Sequence, residues 1–348
     1  MEKLVLALAG MAPLTAVFSS ARERRRTLSV ILFGLATLAC LSVALPELAP
    51  GWPRELTQRV ALLHPVLLAG AVSSACSYDT PRTAFWKGVF TARMAAFGLL
   101  LGLPMATWLS TSFPRSATFS LMSCVTAVVG IWMVTRRKSR RASRAQYGGR
   151  SIPVTRKSLS SILSTVLQYA AMFAVFSNAL FYLMDQPAFD ETSAAFMMVV
   201  FGIGGVLGAM LSGRLLAGHS TLAALLQPLA LAVCYLLLFV FGQVPGVAAA
   251  IAVVLWGATH TAGMVITRSL LVALAPRAQE VANALHVSAG CAGVMLGVSL
   301  ATVFTGAYGS MGILLCGFVL AIASLVAATG QLADMDTPSL IVARDSTD

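Results

Sequence analysis

Charged side chains are scarce in this chain: Asp, Glu, Lys and Arg together make up 11% of its 348 residues. Hydrophobic residues make up 58%, and the mean hydropathy is +0.84. An ordinary soluble domain has about 25% charged residues. The composition therefore excludes a soluble domain and predicts an integral membrane protein.

Cysteine pairs and catalytic motifs are missing too. The six cysteines lie within or at the ends of apolar runs and form no CxxC pair, so they predict neither a disulfide framework nor a metal site. The sequence contains no phosphate-binding loop, no HExxH and no GxSxG. Since these motifs carry recognisable chemistry, we expect no enzyme activity and no cofactor.

What the sequence has instead is a series of long apolar runs. A helix needs about 20 residues to cross the hydrocarbon layer of a bilayer, and most of the runs reach that length. They cover residues 4–20, 28–48, 58–77, 84–109, 117–135, 159–184, 193–216, 220–242, 246–274, 281–305 and 310–332. The prediction is an all-α polytopic membrane protein with about 11 transmembrane helices.

One basic stretch separates the runs into two groups. Residues 136–157 hold nine Lys or Arg and no acid, and positive residues in short loops stay in the cytoplasm. Basic loops alternate with neutral or acidic ones along the chain, which predicts a cytoplasmic C-terminus and an external Met1. A nucleic-acid-binding patch explains the stretch less well, because membrane spans flank it.

The two groups of spans resemble each other. A shift of 195 residues places residues 98–102 on 293–297, and a shift of 192 places Arg22 on Arg214. Internal repeats of this kind are typical of transporters built from two helical bundles. We therefore divide the chain into an N-terminal five-helix bundle (1–135), a basic cytoplasmic linker (136–157), a C-terminal six-helix bundle (158–332) and a polar cytoplasmic tail (333–348).

Several motifs resemble the major facilitator superfamily, and within it the drug:proton antiporter group of bacterial sugar, arabinose and purine-nucleoside efflux permeases. FGIGGVLG at 201–208, followed by SGRL at 212–215, resembles that family's eighth helix. LWG at 255–257 and GVMLG at 293–297 resemble its tenth and eleventh helices. MAPL at 11–14 resembles its second helix, so we expect the family's first helix to be missing.

The resemblance implies roles for two sets of residues. Small residues four positions apart let helices approach closely, and the resemblance adds a part in conformational change. This set comprises Gly98, Gly102, Pro104, Gly204, Gly205, Gly208, Gly293 and Gly297. Basic turns anchor the topology, and the resemblance adds a cytoplasmic gate. This second set comprises Arg22, Arg24, Arg25, Arg26 and Arg214.

Polar residues inside spans are the first candidates for a substrate cavity, because burying them in lipid is costly. Some are ionisable and others form a polar and aromatic stripe on the sixth span, which suits a ligand of mixed polarity. The candidates are Arg93, His64, Gln168, Tyr169, Phe176, Asn178, His260 and His286. For each histidine taken alone, ordinary helix packing is the alternative interpretation.

Acids are missing from the spans: all thirteen Asp and Glu fall in loops, tails or helix ends. Proton coupling, which the resemblance implies, would therefore depend on histidines, whose ordinary pKa is about 6.5. The leading hypothesis is a monomeric efflux permease of the cell inner membrane that moves a sugar, nucleoside or drug-like molecule. The alternative, favoured by the missing helix and acid, is a truncated, transport-inactive homologue that acts at most as an interaction protein.

Overall fold

The computed structural model describes residues 155–187, 189–243, 246–275 and 279–330, and the single positions 120, 121, 124, 125, 127, 128 and 131. All regular structure in these residues is helical, and the single positions lie within the predicted fifth span. The described ranges form seven helices: α1 (Arg156–Phe176), α2 (Ala179–Met184), α3 (Glu191–Gly218), α4 (Ser220–Phe241), α5 (Val247–Ala273), α6 (Gln279–Tyr308) and α7 (Met311–Thr329).

Every described helix except α2 is long and apolar enough to cross a bilayer. These six helices match the six predicted spans of the C-terminal part. For example, α7 runs over 311–329 where 310–332 is predicted. Large apolar side chains such as Leu236, Val303 and Val326 are exposed on their outer surfaces. Helices that are apolar outside as well as inside are expected in lipid, so the all-α membrane fold is confirmed for these residues.

Among the predicted spans that the structure describes, 159–184 is the one that it corrects, because this span is divided into α1 and α2. At the break, the Ser177 hydroxyl donates to the Phe173 carbonyl (2.5 Å), and Asn178 Nδ2 donates to the Ala174 carbonyl (3.0 Å). Side chains that bond the carbonyl four residues earlier compete with the regular helical pattern. The polar pair at 177–178 therefore ends α1.

Helix α1 is central to the described bundle. It packs against α5, α6 and α7, while α5 also packs against α3 and α4, and α4 against α7. The shared core contains fully buried large side chains from several helices, including Leu231, Trp256 and Ile313. This arrangement brings the side chains of α1, α5 and α6 together, and the candidate site lies among them.

Glycines let α3 and α5 touch backbone to backbone. A Cβ atom on Gly204 would lie 2.1 Å from the Val254 carbonyl oxygen, and one on Gly208 would lie 1.9 Å from that of Ala258. Real Cβ atoms essentially never come within 3.0 Å of a heavy atom outside their own stretch of backbone. Any larger residue at these positions must therefore push the two helices apart.

A second close contact joins α6 to α1. A Cβ atom on Gly293 would lie 2.3 Å from the Val166 carbonyl oxygen, and one on Gly297 would lie 2.1 Å from that of Ala170. Gly205 on α3 has a side chain as its neighbour, since its Cβ would lie 2.7 Å from Thr261 Oγ1. These distances explain the need for glycine, while a part in conformational change stays a prediction.

Two of the described spans have a side chain that caps the N-terminus of the helix. Thr155 and Ser158 form a capping box at the start of α1. Before α3, the Ser193 backbone N–H donates to Asp190 Oδ1 (2.9 Å) and the Ser193 hydroxyl donates to the same carboxylate. These hydrogen bonds hold the pKa of the exposed Asp190 carboxyl below its usual value. Both caps satisfy backbone N–H groups that a helix start leaves without partners.

Candidate functional site

Three aromatic rings form one face of α1. Tyr169, Phe173 and Phe176 are four and three residues apart, which is the spacing that places side chains on the same side of a helix. The rings of Tyr169 and Phe173 are stacked with centroids 6.0 Å apart, and Phe173 meets Phe176 edge-on at 5.8 Å. All three side chains are half-buried. Residues 169–176 thus present a partly accessible aromatic surface inside the bundle.

His286 on α6 lies at one end of this surface. Its Nε2 is 3.1 Å from the Tyr169 hydroxyl, and the two rings meet edge-on with centroids 5.5 Å apart. The contact depends on Gly290, one turn later on α6, where a Cβ atom would lie 3.0 Å from the Tyr169 ring. The other ring nitrogen, Nδ1, is buried and has no hydrogen-bond partner among the described residues.

His260 on α5 lies beside the other two rings. Its ring centroid is 5.4 Å from that of Phe173, 5.2 Å from that of Phe176 and 5.3 Å from that of Phe201 on α3. The side chain is fully buried, and within the described residues neither ring nitrogen has a hydrogen-bond partner. We call Tyr169, Phe173, Phe176, His260 and His286 the aromatic–histidine cluster.

Asn283 on α6 and Arg268 on α5 form a polar pair beside the cluster. Asn283 precedes His286 by three residues, so the two side chains lie on the same side of the helix. Arg268 on α5 donates from Nε to Asn283 Oδ1 (3.0 Å). Asn283 is 1% exposed, and its Nδ2 has no partner among the residues that the structure describes. Buried polar groups usually have hydrogen-bond partners. At this edge of the cluster, Asn283 Nδ2 can therefore still donate a hydrogen bond.

The structure brings only some of the predicted cavity residues together. Tyr169, Phe176, His260 and His286 belong to the cluster. Gln168 does not, because it lies on another face of α1 and its Oε1 accepts from Ser324 on α7 (3.0 Å). Asn178 lies at the break after α1 and bonds the Ala174 carbonyl.

Of the remaining predicted residues, the structure describes only Arg214. Arg214 is exposed four residues before the end of α3, and its part in a gate stays a prediction. The others lie outside the described residues: His64, Arg93, Gly98, Gly102, Pro104, Arg22, Arg24, Arg25 and Arg26.

Sequence reasoning missed Phe173, Phe201 and Asn283. Phe173 could have been found, because it lies four residues after Tyr169 and so shares its helix face. Phe201 is an ordinary apolar residue within an apolar run, and only the contact between α3 and α5 places it beside His260. Asn283 is polar within a predicted span, which was a sufficient signal.

In the described part of the chain, six apolar spans pack through glycine contacts and enclose buried histidines, which defines a polytopic α-helical membrane protein. The family follows from comparison with known sequences: the model of the Major Facilitator Superfamily matches residues 4–298. The chain therefore belongs to the Major Facilitator Superfamily, as the resemblance in the sequence predicts.

Named relatives are bacterial. "Putative transporter AraJ" of Escherichia coli (strain K12) is 30% identical over 226 residues, which are 61% of this chain and 54% of AraJ. "Probable sugar efflux transporter" of Helicobacter pylori (strain ATCC 700392 / 26695) is 25% identical over 276 residues, which are 77% of this chain and 68% of the relative. The chain thus spans just over half the length of AraJ and about two thirds of the second relative.

Solved structures of the same superfamily share the fold. The transporter FucP in its outward conformation aligns with a TM-score of 0.72 at 12% identity, covering 95% of this chain and 89% of FucP. The proton:xylose symporter XylE aligns with a TM-score of 0.69 at 14% identity, covering 94% of this chain and 83% of XylE. The predicted major facilitator-like fold is confirmed by these likenesses.

Proposed function

We propose that this chain is a carrier that exports a small polar organic molecule of the sugar class by alternating access. The observation that carries the proposal is the buried Nδ1 of His286, which has no hydrogen-bond partner among the described residues and adjoins the aromatic face of α1. The names of the relatives agree with it, since they include sugar efflux transporters.

The chemistry of the cluster suits a sugar. When the Tyr169 hydroxyl donates to His286 Nε2, the ring carries its own proton on Nδ1, which leaves a buried donor for a ligand oxygen. Aromatic rings offer a flat apolar surface for the C–H face of a pyranose or furanose. Asn283 Nδ2 adds a second donor on the same side of α6. A ligand with several hydroxyl groups and an apolar face would use both features.

Alternating access requires two bundles that move against each other around a site between them. We propose the division into bundles at 1–135 and 158–332, joined by the linker 136–157. The cluster draws its residues from α1, α5 and α6 of the second bundle. The backbone contacts at Gly204, Gly208, Gly293 and Gly297 would keep that bundle rigid while it moves.

Proton coupling is a further part of the proposal. Asp185, Asp190, Glu191 and Glu280 lie between helices or in the first two residues of one, so the described spans offer His260 and His286 as their buried titratable imidazoles. An imidazole with an unperturbed pKa changes charge between about pH 5 and 8. Export that slows when the proton gradient is collapsed would support this coupling, and unchanged export would contradict it.

We also propose that the chain lies in the bacterial inner membrane with its linker and C-terminus in the cytoplasm. The basic linker supports this orientation. Reporters that are active only in the cytoplasm, fused after residues 145, 188 and 348, should give signals at 145 and 348 and none at 188. A cytoplasmic signal at 188 would show that the orientation is wrong.

An export assay in cells tests the function itself. Cells that cannot metabolise the probe are loaded with a labelled pentose, hexose or disaccharide and then diluted into sugar-free medium. Expression of this chain should make at least one labelled sugar leave faster than it leaves cells carrying the vector alone. Equal loss of all three sugars, with the chain present in the membrane, would exclude the sugar class.

A further inference from the structure

A crevice between α1, α4 and α5 lies apart from the aromatic–histidine cluster. It encloses about 10 Å³, roughly the volume that one water molecule needs. Its polar side chains are all buried and come from three helices: Ser161, Ser164, Thr165, Gln168, Gln227 and Thr267. A polar space of this size inside an apolar bundle calls for an explanation, because polar groups are costly to bury without partners.

Several of these side chains already use their donors. The Thr165 hydroxyl donates to the Ser161 carbonyl (2.7 Å), and the Thr267 hydroxyl donates to the Gly263 carbonyl (2.7 Å). Gln227 Nε2 donates to the Thr259 carbonyl (3.1 Å). Each of the three keeps oxygen lone pairs that can still accept a hydrogen bond. The crevice is therefore rich in acceptors.

Two residues in the walls each lack one ordinary hydrogen-bond partner. Gln168 is 1% exposed and its Oε1 accepts from Ser324, yet its Nε2 has no partner among the described residues. On α4, Pro228 lies inside the helix and has no N–H to donate to the Ala224 carbonyl four residues earlier. Both Ala224 and Pro228 line the crevice. The residue with the unpaired donor and the residue whose carbonyl lacks its helical donor thus line the same small space.

We propose that the crevice holds one ordered water, which accepts from Gln168 Nε2 and donates to the Ala224 carbonyl and to a hydroxyl oxygen. Buried waters typically make about three hydrogen bonds to groups without other partners. In membrane helices, ordered waters also satisfy carbonyls that proline leaves without a donor. An alkali cation suits the space less well, because the amide N–H would face its charge. The water links α1 to α4 where α4 lacks a bond of its own.

X-ray radiolytic labelling of the full chain in lipid nanodiscs tests the proposal. Hydroxyl radicals formed from a buried water oxidise the side chains beside it, whereas side chains remote from water stay unmodified. Ile266 lines the crevice and Ile313 lies in the main core, and both are almost completely buried. Ile266 should be oxidised several times faster than Ile313. Equal rates in the unmodified chain overturn the proposal.

Two variants test which groups hold the water. Gln168→Met removes the donor at nearly constant volume, and Pro228→Ala returns a backbone N–H to the Ala224 carbonyl. In each variant, oxidation of Ile266 should fall toward the rate of Ile313. Persistence of fast Ile266 oxidation in both variants overturns the assignment. A variant that fails to fold is recognised by faster oxidation of Ile313 and is replaced by the other variant.

Discussion

Gly208→Ala is expected to destabilise the C-terminal bundle severely, although alanine is ordinarily the better helix former. The added Cβ would lie 1.9 Å from the Ala258 carbonyl oxygen and 2.6 Å from its carbonyl carbon. Backbone atoms cannot rotate away as a side chain can, so α3 and α5 must separate along their contact. Overpacking of this kind typically costs about 1–3 kcal/mol and sometimes more, and it also loses the apolar contacts that flank the glycine.

Gly306→Ala is the matched control for this substitution. Gly306 lies within α6, and a Cβ atom there meets nothing within 4 Å. In an exposed helix interior, alanine is more favourable than glycine by about 1 kcal/mol, so this variant should be unchanged or more stable. The two purified variants are heated to a series of temperatures, and size-exclusion chromatography measures how much folded protein remains at each temperature. If both unfold at the same temperature, the close α3–α5 contact is not present in the protein.

If the chain exports a sugar as proposed, Tyr169→Phe is expected to reduce that export by about tenfold while leaving the protein folded. The phenyl ring keeps its stacking on Phe173, but His286 Nε2 loses the hydroxyl 3.1 Å away. An unsatisfied buried partner costs about 1–3 kcal/mol. Where this cost falls on the transition state of transport and not on the resting state, about 1.4 kcal/mol corresponds to a tenfold lower rate. His286 also loses the bond that orients its ring and that, when the Tyr169 hydroxyl is the donor, assigns the ring proton to Nδ1.

Tyr182→Phe removes the same atom at a place remote from the cluster. The Tyr182 hydroxyl donates to the Leu238 carbonyl (2.9 Å), which also accepts from the Gly242 N–H (2.8 Å). That carbonyl keeps a partner in the variant, so export should stay near the unmodified rate. Initial export rates, normalised to the amount of protein in the membrane, measure both variants. Equal export rates for the two variants would show that the cluster is not part of the transport site.

The six C-terminal spans could be located from the sequence because hydropathy is a local property. Each apolar run ends where charged, proline or glycine residues return, and the structure moves those ends by only a few residues. The break at Ser177 and Asn178 was not predicted, since two small polar residues hardly change the hydropathy of a long window. Their effect comes from hydrogen bonds to carbonyls one turn earlier.

The candidate site could be predicted only in part. The sequence drew attention to Tyr169, His260 and His286 because polar residues are rare in apolar helices. It also grouped Gln168 with Tyr169, although neighbouring residues on a helix are about 100° apart, and the structure directs Gln168 to α7. Which helices pack together is a property of the folded chain. The contact between Phe201 on α3 and His260 on α5 could therefore not be predicted from either apolar run alone.

Counterflow in liposomes that contain only the purified chain tests most directly whether it is a carrier. The sugar is the one that leaves cells faster when this chain is expressed. Liposomes are loaded with a high concentration of this sugar without label and are then diluted into a trace of the same sugar carrying a label. A carrier that alternates between two faces should concentrate the label inside transiently, because unlabelled sugar leaving the vesicle returns the binding site to the outside. Label that never exceeds the level in protein-free liposomes would contradict transport by this chain.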